Sequence, residues 1–151
     1  MPEYLIETDL IVAYFNRADK LHKTSYRIFE ECLQGTFKIG ILQSALLEYE
    51  LALKAMGVDE SEIKDDLEDI NLKIEESAGL IYLVPLTITQ QIKAMELREK
   101  YNFSYFDSLH IAAAIIHNTP LITSDKEILT HKKTLPVIPP EKALKHKTHP
   151  K

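Results

Sequence analysis

The chain has 151 residues, 45% apolar and 27% charged, the balance of one globular domain long enough to bury a core without staples. That composition excludes a disordered chain, and no apolar run approaches the roughly 20 residues a bilayer span needs. The formal net charge is −5, which taken alone runs against nucleic-acid binding, because phosphates are contacted by Lys and Arg.

The N-terminus lacks a basic-then-apolar leader pattern, which predicts a cytoplasmic protein. Short apolar runs rich in branched residues then alternate with segments of helical period. The runs are YLIE at 4–7, FKIGIL at 37–42, LIYLV at 80–84, PLIT at 120–123 and LPVI at 135–138, and each is predicted to be a buried strand. Helices are predicted at 9–16, 20–33, 44–56, 59–78, 88–100 and 105–117, with a short one from 125. Cys32 falls within the second of these; with no second cysteine for a disulfide or zinc pair it is expected to be a small core or boundary residue. The fourth helix is strongly acidic: residues 59–76 hold nine acids and two lysines, leaving about +2 for the rest of the chain by subtraction. Ile63, Leu67, Ile70 and Ile74 give that helix one apolar stripe, so its acids read as a solvated face. Strands alternating with helices imply crossover connections and a mostly parallel central sheet flanked by helices, a three-layer α/β domain spanning residues 1–140. After Pro139 and Pro140 comes EKALKHKTHPK, a basic tail at 141–151 with four lysines and two histidines. It is expected to fray or to hold phosphates.

Ligands of open parallel sheets bind outside the carboxyl ends of the strands. Glu7 ends the first run, Glu48 lies one turn into the helix after the second, Asp107 opens the helix YFDSLHIAAAII, and Asp125 follows PLITS. Singly, helix capping explains these acids: Ser104 and Asp107 make an S-x-x-D pattern, Ser124 or Asp125 suits a cap, and Glu48 suits a first helical turn. Together on one rim they would repel and raise one another's pKa unless a cation sat among them. All-oxygen donors without a Cys or His cluster suit Mg²⁺ or Mn²⁺ rather than zinc. Such ions commonly serve phosphoryl chemistry, which makes a nuclease a reasonable expectation. His110, one turn after Asp107, is within reach of this rim, but a surface or supporting role is expected for it, and His22 and His117 are expected to end or decorate helices.

The segments YLIETDLIVAYF, SALLEYELAL and YNFSYFDSLHIAAAIIHNTPLITSDKEI resemble the PIN-domain family, in particular its small stand-alone toxin-type (VapC-like) ribonucleases. The likeness spans residues 4 to about 139, and its third segment is the most specific part. It implies a Rossmann-like fold and a metal-dependent endoribonuclease, the toxin of a toxin-antitoxin pair. By resemblance Glu7, Glu48, Asp107 and Asp125 are the catalytic, metal-holding acids, and Thr123 is the hydroxyl residue that supports the last of them. The family's usual Asp-Thr-Asn reads Glu7-Thr8-Asp9 here. Glu7 keeps the carboxylate but moves it by about an ångström, the scale of one C–C bond, and Asp9 adds charge beside it. Resemblance also implies an RNA substrate cut to leave a 5′-phosphate, an antitoxin protein partner and a homodimer. Lysines and aromatics of the rim, from residues 16–23 and the tail, are expected to hold the RNA.

Competing readings are weaker. An aspartyl-phosphate phosphatase needs a nucleophilic Asp at the first position, and no P-loop motif occurs. The alternative kept open is a catalytically weak or inactive PIN-like module that binds RNA or a protein, motivated by Glu7 and the acidic balance.

Overall fold

The computed structural model describes residues 2–145. Branched, buried residues form five short parallel strands: β1 (Tyr4–Ile6), β2 (Ile39–Leu42), β3 (Ile81–Val84), β4 (Leu121–Ile122) and β5 (Val137–Ile138). Their order across the sheet is β3-β2-β1-β4-β5. Tyr4 to Ile6 and Ile39 to Leu42 are buried throughout, whereas the edge strand β3 exposes Leu83. Eight helices connect and cover the strands among the described residues: α1 (Thr8–Phe15), α2 (His22–Leu33), α3 (Gln43–Ala55), α4 (Glu60–Glu76), α5 (Ile88–Tyr101), α6 (Tyr105–His117), α7 (Lys126–Leu129) and α8 (Pro140–Lys145). The result is the expected three-layer α/β fold with a parallel central sheet. None of these helices is long and apolar enough to cross a membrane.

The order of the strands positions the site. The chain runs outward from β1 through β2 to β3, then crosses back to the other side of β1 with β4 and β5. The reversal puts a topological switch point between β1 and β4, where loops leave the sheet in opposite directions and open a crevice at the strand ends. Close packing beneath it is visible at Gly40, where a Cβ would lie 2.8 Å from Leu5 Cδ2 and 2.9 Å from Val84 Cγ2.

Helix α6 is buried along most of its length: Ser108 through Ala114 are all inaccessible. Its small residues let it pack closely on α5, α3 and β4. Ser104 Oγ accepts the Asp107 N–H at 3.2 Å and fixes where the helix starts. Cys32 is buried as expected, its thiol donating to Leu80 O at 3.2 Å, and burial pushes its pKa up to about 11. On α4, Ile63 and Ile70 are buried and Leu67 and Ile74 pack at the edge of the core, as the stripe predicts.

The first residues of the basic tail are ordered into α8. Pro140 begins this helix, a position where its missing N–H costs nothing, and Ala143 and Leu144 are buried as α8 packs on α2. The lysine count of the segment conceals these two apolar residues. Residues 146–151, the remainder of the tail, lie outside the described residues.

Candidate active site

Strand β1 ends at Ile6, and the chain turns into α1 at Glu7 in an extended conformation. The Glu7 side chain makes no bond to the helix it precedes, so capping does not account for it. Instead its Oε1 accepts the Thr123 hydroxyl at 2.6 Å, across the switch point between β1 and β4. The Glu7 backbone N–H donates to Ile122 O at 3.2 Å and holds the two strand ends together. Glu7 is only 5% exposed. Burial raises its carboxyl well above the ordinary value, and the charges of Asp9, Asp107 and Glu48 push the same way, against the Thr123 hydrogen bond.

Glu48 is held by the opposite kind of environment. Its Oε1 accepts from Thr8 Oγ1 at 2.6 Å and lies 2.8 Å from His110 Nε2. Burial raises its carboxyl, but the hydrogen bonds from His110 and Thr8 and the electrostatic pull of His110 outweigh that and hold it below the ordinary value. His110 is completely buried, with Nδ1 3.0 Å from Ser44 Oγ. Gln90 Nε2 reaches Ser44 Oγ at 3.5 Å and donates to Leu109 O at 2.9 Å. A polar chain therefore runs from α5 through α3 and α6 to the Glu48 carboxylate. Of the two roles expected for His110, burial excludes the surface one, and its contact with Glu48 fits the supporting one. His22 fits its expected role, with Nδ1 against Ala13 O at 2.8 Å at the start of α2.

Asp107 stands in the first turn of α6. Burial raises its carboxyl, Ser104 opposes this, and the nearby Asp125 and Glu48 charges add to the rise. Asp125 does cap a helix: its Oδ1 accepts the Glu127 and Ile128 N–H groups at 2.9 and 3.2 Å. That bond leaves the second carboxylate oxygen for other use. Thr123 Oγ1 accepts the Asp125 N–H at 3.1 Å, so one hydroxyl fixes both Glu7 and the backbone of Asp125. Asp9 binds Ser124 through Oδ2, which accepts the backbone N–H at 2.9 Å and the side-chain hydroxyl. Its Oδ1 is buried with no hydrogen-bond partner among the described residues.

Glu7, Glu48, Asp107 and Asp125, with Asp9, line one cleft of about 500 Å³ at the strand ends. Thr8, Val12, Ala52, Ser104 and Ser124 complete its lining, and of the residues behind Glu48 the sequence pointed to His110 but not to Ser44. Residues 16–23, expected to contribute lysines, do not line the cleft.

The donor set fits a hard divalent cation. Glu7, Glu48 and His110 offer ligand atoms within 4.8 Å of one another, but both nitrogens of His110 are engaged by neighbours, which leaves carboxylate oxygens as the free donors. A buried, unpartnered oxygen on Asp9 and a crowded Glu7 are costly without a compensating positive charge.

The PIN domain matches residues 4–133. The chain belongs to the PIN domain family. Solved structures share its fold at low identity. A toxin-antitoxin complex from Klebsiella pneumoniae is 14% identical, covering 91% of this chain and 97% of that one, with a TM-score of 0.62. VapC20 of Mycobacterium tuberculosis, a sarcin-ricin loop cleaving toxin, is 13% identical over 84% of this chain and 93% of its own, with a TM-score of 0.64. VapBC2 of Rickettsia felis, bound to a promoter DNA fragment, is 15% identical over 90% and 97%, with a TM-score of 0.63. These likenesses show the fold of this PIN domain. No curated protein matches the chain.

Proposed function

We propose that this PIN domain is a Mg²⁺- or Mn²⁺-dependent endoribonuclease that hydrolyses RNA phosphodiester bonds in the cytoplasm, as the toxin of a toxin-antitoxin pair. The observation that carries the reading is the convergence of Glu7, Glu48, Asp107 and Asp125 on a single cleft at the switch point. Asp125 is occupied by capping bonds through its side chain, whereas Glu7 makes none.

In this reading Glu7, Glu48, Asp107 and Asp125 hold the cation, with Asp9 Oδ1 adding charge beside Glu7. When bound, a divalent ion polarises the phosphate and lowers the pKa of water. The protein's own contribution is to fix the acids beforehand. His110 and Thr8 hold Glu48 Oε1, Thr123 holds Glu7 Oε1, and the start of α7 holds Asp125 Oδ1. Glu7, Glu48 and Asp125 thus each use one oxygen for orientation and leave the other available, so little reorganisation is needed at the reacting phosphate.

Purified protein should cleave single-stranded RNA in Mn²⁺, leaving 5′-phosphate ends, and should do nothing in EDTA. RNA binding without cleavage in either metal would replace this reading with the binding module that Glu7 motivates. The toxin role rests on the fold neighbours that come from toxin-antitoxin complexes. Its test is expression in a host cell: growth arrest relieved by co-expressing an adjacent short reading frame for a DNA-binding protein supports it, and unimpaired growth removes it.

The homodimer also belongs to this proposal. Helix α5 exposes Ile88 (75%), Ile92 (53%) and Met95 (57%) on one face, an apolar stripe of the kind a second copy covers. Ile92→Glu should convert a dimer into a monomer by light scattering. A wild type that is monomeric at tens of micromolar concentration would contradict the assignment.

A further inference from the structure

Beside the acid cleft lies a second cavity that catalysis by the acids does not use. Helix α5 ends at Asn102, whose left-handed conformation (φ 59°) reverses the chain. The reversal lays Phe103 on Tyr101, with ring centroids 5.3 Å apart and planes 22° from parallel. His131, just past α7, meets both rings edge-on at 5.1 and 5.3 Å. These three rings form one corner of a cavity of about 430 Å³, whose remaining wall includes Ser104, Asp107 and Glu127. Ser104 and Asp107 line the acid cleft as well, so the two cavities share a wall.

The chemistry of the lining selects its occupant. Both formally charged carboxylate groups on it, Asp107 and Glu127, are acids, so a phosphate is repelled from the interior. Partly exposed aromatic rings favour a flat, neutral π-system, and the carboxylates favour one whose edge carries N–H donors. A nucleobase has both properties. Cations stand outside the cavity rather than in it: Lys100 Nζ lies 5.3 Å from the Tyr101 ring centroid, and Lys132 and Lys133 are exposed next to His131. That arrangement suits a strand whose base enters the corner while its phosphates pass along the rim.

We propose that the Tyr101, Phe103 and His131 corner is a nucleobase subsite, receiving an unpaired base of the RNA strand adjacent to the phosphate at the acid cleft. The proposal rests on the ribonuclease reading for the position of that phosphate. It assigns substrate recognition to three residues that take no part in holding the metal.

The test uses single-stranded RNA hexamers carrying the fluorescent base 2-aminopurine at each position in turn. Binding is measured in Ca²⁺, which neutralises the carboxylates but prefers longer bonds and higher coordination numbers than Mg²⁺. Stacking in the corner should quench one position selectively. Phe103→Leu, which keeps apolar bulk but removes the ring, and His131→Gln should each abolish that quenching. Each should also weaken binding about 10-fold, the scale of losing one stacked base, with the thermal midpoint retained. RNA that binds with no position quenched, or variants that bind and quench as the wild type does, would reduce the rings to packing between α5 and α7 and overturn the subsite. Position-specific quenching without any cleavage in Mn²⁺ would uphold the subsite and sink the nuclease reading. No RNA binding at all would overturn both.

Discussion

Asp107→Asn is expected to lower Mn²⁺-dependent RNA cleavage by about 100-fold or more, because even partners one step removed from a metal ligand cost 10- to 100-fold when lost. The fold should survive. The bond that starts α6 runs from the Asp107 backbone N–H to Ser104 Oγ, and the substitution does not touch it. Asn also matches Asp in size and removes a charge that Asp125 and Glu48 repel, so the metal-free thermal midpoint should stay level or rise slightly. Steady-state cleavage and a thermal melt on the same preparation check both halves. Undiminished cleavage by a folded variant would assign Asp107 to the helix start and remove it from the site.

The second large effect concerns Glu7, where stability and function should move in opposite directions. Burial and three neighbouring acids raise its folded pKa above the ordinary value of about 4.5. A group raised on folding contributes stability that is fully present below its unfolded pKa and lost as pH rises through the folded one. Without metal, the wild type should therefore lose stability as pH climbs from about 4.5. Glu48 has the opposite sign, because its folded pKa is lowered; its contribution is lost only as pH falls below that range. Glu7→Gln keeps an oxygen to accept from Thr123 and removes the charge. In EDTA at neutral pH it should melt a few degrees higher than the wild type, given that about 1 kcal/mol moves a domain of this size by roughly 2–4 °C, and its pH slope above 4.5 should flatten. The same variant should cleave no RNA. A buried Glu serving only structure predicts an equal or lower melting point and unchanged cleavage.

Much of this arrangement was legible in the sequence, and the remainder was hidden for identifiable reasons. Branched runs and helical periods located all five strands and the first seven helices, because each is a local signal read within a dozen residues. The rule for parallel sheets then brought Glu7, Glu48, Asp107 and Asp125 to one edge. It could not show which acids were also caps, since that depends on side-chain direction: Asp125 turns to its helix and Glu7 turns away from its own. The bonds that hold Glu48 were not legible because they cross the fold, Thr8 from 40 residues away and His110 from 62; a supporting role near the rim was all the sequence suggested for His110. His110 left one clue, a histidine in the run SLHIAAA whose other members are all small or apolar, which marks a buried polar residue in need of partners. The helix α8 was missed because charge dominates the composition of its segment, while two residues, Ala143 and Leu144, decide its packing.

The central claim is that the acid cleft is a divalent metal site, and a Mn²⁺ titration of the thermal midpoint, paired with calorimetry, tests it most directly. Binding to the folded state alone should raise the midpoint with metal concentration, by the equivalent of about 2.7 kcal/mol at a hundredfold excess over Kd, and the rise should vanish in Glu7→Gln and in Glu48→Gln. A wild-type midpoint unmoved by millimolar Mn²⁺, with no heat of binding, would contradict it.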